Sequence, residues 1–334
     1  MNSVGQASAC VRLMLGGDVM LGRGVGVCIE RYGPTYPLGP VASLMRDADL
    51  TIVNLECAIT ASNDVWRGKP KAFYFGAPTL AVNTLTDAGV DIVSLANNHT
   101  LDFDVEGLHQ TLSMLRTHGI SFVGAGEDSR AAIAPVFIER QGIKFGMVAF
   151  CDHQRGFAAD KHRPGIAWID LDDEVTTLSV WRRSLQGLRE ANIDWPILSL
   201  HWGPNRVVQP SVQFKRLARA AIDMGWKILF GHSAHVFHGI EIYRGCPILY
   251  AAGDLVDDYA VDPDLRNDQQ LLIEIACDRA QVRLVRLHPV VIDRCQTRPA
   301  TGKMRDEILR RMTMQCQALG SFLSPDDLSI CITS

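Results

Sequence analysis

Residues 94–107 read SLANNHTLDFDVEG. The apolar approach Asp91–Leu95 runs into Asn97, Asn98, His99, Asp102 and Asp104 within a few positions. The approach has the length and the Ile/Val content of a buried strand, whereas residues 97–104 offer carboxamide, imidazole and carboxylate. Helical periodicity resumes at Val105–His118, with Asp104 expected as its N-cap. A strand that passes through a polar loop into a helix is half of a βαβ unit. In open α/β sheets such loops, beyond the carboxyl ends of the strands, form the binding crevice.

The same arrangement recurs along the chain. Strands are expected at Arg12–Leu15, Leu50–Val53, Ile120–Val123, Pro135–Ile138, Lys144–Phe150, Pro196–Leu200, Lys227–Phe230 and Pro247–Tyr250. Helical periods fall at Thr79–Ala88, Thr176–Ala191 and Val212–Met224. Alternating elements of this kind define an α/β fold with central sheets flanked by helices. Leu271–Ala276 and Gln281–Leu287 read as a half-exposed antiparallel pair. Residues 302–320 read as a last amphipathic helix with Ile308, Met312, Cys316 and Leu319 on one stripe. The least regular stretches, 61–71 and 157–163, are candidate active-site loops.

Composition narrows the class. The chain has 334 residues, 47% of them hydrophobic, enough for a globular body with a large core. A net charge of −4 and a pI near 6.2 supply no broad basic field, so a nucleic-acid partner is not expected. The first residues lack the basic leader and the roughly 7–15-residue apolar run of a signal peptide. No stretch reaches the roughly 18 apolar residues of a membrane span. Nine scattered cysteines form no Cys-x-x-Cys pair, which suits a reducing compartment. A cytoplasmic protein with no membrane segment is therefore expected, and nothing in the sequence sets an oligomeric state.

The polar strand ends carry the chemistry. VRLMLGG ends in Asp18, LTIVNL in Glu56, DIVSLAN in Asn98 and His99, PILSL in His201, KILFG in His232 with His235 three further on, and PILYAAG in Asp254. Alone, Asp18 or Asp254 reads more simply as a helix N-cap, and His201 as a packed histidine. His109, His118, His153, His162, His238 and His288 are expected to be packing or surface residues. Six polar strand ends together point to a metal centre. Asp, Glu, Asn and His are borderline-to-hard donors suited to a divalent Mn, Zn, Fe or Ca.

The motifs GGDVMLGRGV, NLECAIT, SLANNHTLDFDVEGLHQTL, VGAG, HWG and GHSAHVFHGIEIYRGCPILYAAGDLV occur in this order over residues 11–290. Together the set resembles the CapA family of capsule-biosynthesis, poly-γ-glutamate synthesis proteins. That resemblance implies the calcineurin-like metallophosphoesterase fold. It assigns Asp18, Glu56, Asn98, His201, His232 and His235 to metal-ligand positions, and His99 with Asp102 to an acid/base pair. Residues 1–295 would form the family domain, and 296–334 a helical extension packed on it.

Two departures matter. Metallophosphoesterases usually open with Asp-x-His, where this chain has Met20, and close with Gly-His-x-His, where two residues separate His232 from His235. One metal site is therefore expected rather than a full binuclear centre. Asp254 stands where the family commonly has Gly-Asn-Phe, and beside His235 it offers a second His/Asp pair.

The resemblance implies a metal-dependent hydrolase or transferase acting on a peptide or γ-glutamyl amide. Two His/Asp pairs, His99/Asp102 and His235/Asp254, fit a second reading, a peptide Cα epimerase, an activity found among soluble relatives that act on lasso peptides. A third is a non-catalytic, metal-stabilised partner in polymer synthesis. Arg23, Trp66, Arg67, Lys69, Lys71, Trp202 and Arg206 come after the candidate strands and are read as substrate contacts or as a solvated rim. The acidic stretch DDYAVDPDLRND, 257–268, is either a cover over the site or an exposed turn.

Overall fold

The computed structural model describes residues 9–324 and 328–332. Val11–Val19 and Leu50–Leu55 are buried at nearly every position, as parallel strands covered on both faces must be. Runs such as LTIVNL lack polar–apolar alternation for that reason. Among the described residues these strands are central in a nine-stranded sheet. Its order is Gln296–Pro299, Val282–Asp293, Gln269–Cys277, Val11–Val19, Leu50–Leu55, Ile92–Ser94 and Ser121–Val123, with Asp254–Val256 pairing alongside the end of Val11–Val19 and Ser329–Ile330 alongside Val282–Asp293. A second sheet of six described strands runs Ile240–Tyr243, Cys246–Leu249, Ile228–His232, Trp195–His201, Ile143–Cys151 and Val136–Arg140.

The second sheet shows the period of two that places the site. Phe145, Met147, Ala149, Trp195, Ile197, Ile228 and Phe230 enter the main core together with the first sheet. Val148, Phe150, Leu198, Leu200 and Leu229 face away, into a separate core under the helices Glu174–Glu190 and Val212–Met224. By that alternation His201 and His232 lie on the face shared by the two sheets. They stand opposite each other in register, as Asp18 does with Asp254 and with Asn54. Close backbone approach makes this possible. A Cβ on Gly17 would lie 1.9 Å from the Gly253 carbonyl oxygen, and one on Gly231 2.2 Å from that of Tyr250.

Several expectations are refined. Thr79–Ala88 is split into a 3₁₀ turn, Thr79–Ala81, and a helix, Val82–Asp87. Asp104 is the first residue of its helix, after Phe103 at the cap, and its carboxylate takes the neighbouring Val105 N–H at 2.8 Å. Of the late antiparallel pair only Val282–Asp293 alternates, while Gln269–Cys277 is buried throughout. The last helix, Gly302–Gln317, places Ile308, Met312 and Cys316 in the main core. Residue 295 lies in the turn between Val282–Asp293 and Gln296–Pro299, so residues beyond it complete the first sheet as well as covering it. Among the described residues no helix is long and apolar enough to cross a membrane.

Glu274, inside the first sheet, is 2% exposed and accepts from Arg12 Nε at 2.8 Å, with His288 Nε2 at 2.9 Å. The bond from His288, followed by that from Arg12, holds its carboxyl down at about 2 against the opposing effect of burial, below the ordinary 4.5. A depressed carboxyl contributes stability above its unfolded value and loses it as pH falls through the folded value. Glu274→Gln is expected to cost about 2 kcal/mol at pH 7. In urea unfolding the gap from wild type should narrow steadily from pH 4.5 towards pH 2.

Candidate metal centre

The carboxyl ends of both sheets deliver their polar residues to one buried volume around Asp18. Its Oδ1 accepts from Asn54 Nδ2 at 2.7 Å and lies 3.6 Å from His232 Nδ1 and 4.0 Å from His201 Nδ1. Its Oδ2 accepts from Ser233 N–H at 3.2 Å and lies 3.6 Å from His235 Nδ1. Two groups of ligand atoms share Asp18: Asp18, His201 and His232, and Asp18, Glu56, His235 and Asp254. Within each group the atoms lie within 4.8 Å of one another. Met20, which stands where the Asp-x-His pattern would place a ligand, turns its thioether to the Gly22 N–H at 3.2 Å. Asp254 joins the second group instead, so donors for a second cation exist beside those for the single one expected.

Tautomers are set by the outer partners. His201 Nε2 stands 2.8 Å from Asn98 Oδ1, an acceptor, so this nitrogen carries the proton and Nδ1 presents its lone pair. His232 Nε2 meets Ser199 Oγ at 2.9 Å, and its Nδ1 faces that of His201 at 2.8 Å. Burial pushes His201 well below the usual imidazole value, His232 to about 3, and His235 down as well. The imidazoles are therefore neutral, the form that binds metals.

The carboxylates are only partly compensated. Burial first, then mutual repulsion, lifts Asp18 to about 7 and Glu56 well above the usual glutamate value, and burial lifts Asp254 to about 8. Both oxygens of Glu56 and Oδ2 of Asp254 are enclosed without a hydrogen-bond donor. Buried, unpaired carboxylates are costly. A divalent cation reverses that cost by becoming the largest local charge. The residues present thus fit divalent cation binding, by Asp18, His201 and His232 or by Asp18, Glu56, His235 and Asp254; Asn98, expected as a ligand, meets His201 Nε2 with its Oδ1 at 2.8 Å instead.

His99 borders this volume. Its Nδ1 lies 2.5 Å from Asp102 Oδ2, its ring stacks on Phe75 at 3.7 Å, and its Nε2 is 4.0 Å from Glu56 Oε1. Asp102 also accepts from Phe75 N–H at 2.7 Å and from the Lys71 ammonium, which bonds the Asn98 carbonyl and sits 4.9 Å over the Phe157 ring. Lys71 is thus a buried member of the pair's support rather than part of a solvated rim. His235 also has an aspartate partner, with Nδ1 2.9 Å from Asp254 Oδ1, but the same nitrogen faces Asp18 and Glu56 at 3.6 and 4.0 Å.

The expected substrate contacts separate into three kinds. Arg23 reaches the rim, with Nε 3.3 Å from Asp258 and its guanidinium over Phe73 and Phe75 at 5.3 and 5.5 Å. Trp66 packs edge-on to Phe157 at 4.9 Å, and its backbone N–H donates to the Asp102 carbonyl. Arg67, Lys69 and Arg206 are exposed, with Arg67 3.7 Å from Asp64 and Arg206 3.9 Å from Asp262. Trp202 is corrected: it stacks on Phe214 at 4.7 Å in the second core, its indole N–H on the Tyr250 carbonyl, because the residue after His201 must face the other way. His153, expected to be incidental, also belongs to the site. Its Nδ1 is 2.7 Å from Asp152, its Nε2 3.1 Å from Ser233 Oγ, and its ring lies edge-on to His201 at 5.6 Å. The stretch 257–268 covers the site in part, since Asp257 is buried and Asp258 bonds the Gly24 N–H at 2.9 Å.

Stacked sheets whose strand ends gather carboxylates and imidazoles define a protein of the calcineurin-like metallophosphoesterase fold. A phosphatase from Mycoplasma pneumoniae has a similar structure, with a TM-score of 0.53 at 13% identity, covering 85% of this chain and 95% of that one. The chain belongs to the family of bacterial capsule synthesis proteins PGA_cap, whose profile matches residues 12–259. It is 32% identical over 336 residues to a probable polyglutamine synthesis accessory protein of Mycobacterium tuberculosis, covering 87% of each chain. It is 24% identical over 314 residues to the capsule biosynthesis protein CapA of Bacillus anthracis, covering 93% of this chain and 75% of that one.

A ligand role for Glu56 has a signature that a structural role lacks. In chelator-treated protein, Glu56→Gln should melt no lower than wild type, because it removes a buried carboxyl group whose oxygens have no donor. Added Mn²⁺ or Zn²⁺ at about 100 times the dissociation constant should stabilise wild type by roughly 2.7 kcal/mol. The variant should show little of that gain in differential scanning calorimetry.

Proposed function

We propose that this protein is a metal-dependent enzyme that cleaves or transfers at the amide bond of a peptide or γ-glutamyl substrate. The observation that carries this reading is His99, hydrogen-bonded behind to Asp102 at 2.5 Å and bare in front, 4.0 Å from Glu56. Asp102 keeps the proton on Nδ1, so Nε2 presents a lone pair to the site. Burial, stronger than the pull of Asp102, lowers the imidazole to about 4, and it is neutral at physiological pH. His99 takes a proton from the attacking water or amine as that group adds to the carbonyl carbon. It then returns the proton to the departing amide nitrogen as the carbon–nitrogen bond breaks. A divalent cation, when bound, supplies Lewis acidity toward the carbonyl oxygen and the attacking water. Lys71 and Phe75 hold Asp102 and His99 in line, and Arg23 at the rim suits a substrate carboxylate.

The substrate class rests on the relatives, one named for polyglutamine synthesis and another for capsule biosynthesis. The free cysteines, with no disulfide among the described residues, support a reducing compartment such as the cytoplasm.

A second reading has its own observation. His99 Nε2 and His235 Nδ1 each lie 4.0 Å from the Glu56 carboxylate, and each imidazole has its own aspartate, His99 on the opposite nitrogen and His235 on the same one. Two such pairs flanking one position suit proton removal and return at a peptide Cα. Incubating metal-loaded protein with γ-glutamyl peptides in D₂O separates the two by mass spectrometry. Cleavage or transfer is expected, with His99→Asn lowering kcat by about 10²–10⁴-fold. Deuterium at Cα without cleavage would support the epimerase. Neither product, with polymer synthesis unchanged by His99→Ala, would leave a non-catalytic role.

A further inference from the structure

Tyr259 lies in the acidic stretch that covers the site, and its side chain is unlike the others there. The ring is partly exposed, yet the hydroxyl is enclosed and has no hydrogen-bond partner. The ring stands edge-on to His235 at 5.2 Å and lies 6.0 Å from Phe75, which stacks on His99. Tyr259 is therefore bracketed by the two His/Asp pairs. Its backbone is fixed, with its N–H donating to Asp257 Oδ1 at 2.7 Å, while the adjacent Asp258 is anchored to Gly24 and Arg23.

An enclosed hydroxyl without a partner calls for an explanation, because native structures satisfy nearly all such groups. The other unpartnered oxygens around it, Glu56 Oε1 and Oε2, Asp254 Oδ2, Asp257 Oδ2 and Asp258 Oδ1, belong to carboxyl groups that can only accept when ionised. They suit a cation. A hydroxyl proton among them suits an oxygen carrying negative charge next to that cation. A phenol holds its proton at neutral pH and can therefore donate.

We propose that the Tyr259 hydroxyl is a catalytic hydrogen-bond donor that contacts the substrate oxygen on which negative charge develops during acyl transfer. This deepens the amide-transfer reading and rests on it. The phenol transfers no proton. It stabilises the oxygen of the tetrahedral state as oxyanion-hole donors do.

The test compares metal-loaded wild type with Tyr259→Phe, which removes one oxygen and keeps the ring against His235. Metal content and melting temperature should be unchanged. Affinity for inorganic phosphate, a tetrahedral oxyanion, should fall about tenfold by calorimetry. With a γ-glutamyl peptide that is turned over, kcat should fall about 10²-fold at nearly constant KM. Unchanged phosphate affinity, absence of phosphate binding by wild type, or loss of metal from the variant would overturn the assignment. Weakened phosphate binding in a protein that turns over no γ-glutamyl peptide would sink the amide reading while leaving Tyr259 as the oxyanion donor.

Discussion

Three carboxylates, Asp18, Glu56 and Asp254, and three neutral imidazoles, His201, His232 and His235, share one volume from which water is nearly excluded. Without a cation this is an electrostatically unfavourable arrangement: acids driven towards protonation by burial and enclosed carboxylate oxygens with no donor. The two sheets impose it, because the registers that pair Asp18 with Asp254 and His201 with His232 also build the core. The fold cannot relax the cluster without giving up strand pairing. A divalent ion resolves the conflict with one added charge, which makes cation binding the condition on which the rest of the site depends.

Around that centre the protein arranges proton-carrying groups at its edge. His99 faces Glu56 with its back to Asp102, and Lys71 and the Phe75 N–H fix the aspartate in turn. His235 and Asp254 form a second pair that also faces the ligand cluster. The acidic stretch then adds an unpartnered hydroxyl, from Tyr259. On the amide-transfer reading proposed above, these groups would serve as a place for a cation, a base and a donor for an oxygen anion, which addition to a carbonyl needs.

Much of this was legible in the sequence, for a physical reason. Parallel strands buried on both faces stand out as apolar runs, and the polar residue that ends each run has few places to go other than the common crevice. Asn54 was legible too, though missed. Two residues before Glu56 at the end of an apolar strand, it lies where the period of two places it on the Glu56 side, and it holds Asp18 at 2.7 Å. The same period assigns Trp202 to the face opposite His201, so reading it as a substrate contact overlooked a local rule. Lys71, His153 and Tyr259 are different. Their approach to the site depends on the paths of irregular segments near 60–75, 152–157 and 257–268, which no periodicity encodes. The helix Arg23–Tyr32 escaped notice because it has no side-chain cap and no acidic residue in its first turn.

The central claim is that the buried cluster exists to hold a divalent cation. The most direct measurement is metal content by mass spectrometry of protein purified without added metal, wild type beside Asp18→Ala and His232→Ala, with folding checked by circular dichroism. The account predicts near-stoichiometric metal in wild type and its loss in both folded variants. Folded wild type that carries no metal, even after soaking with Mn²⁺, Zn²⁺ or Ca²⁺, would contradict it.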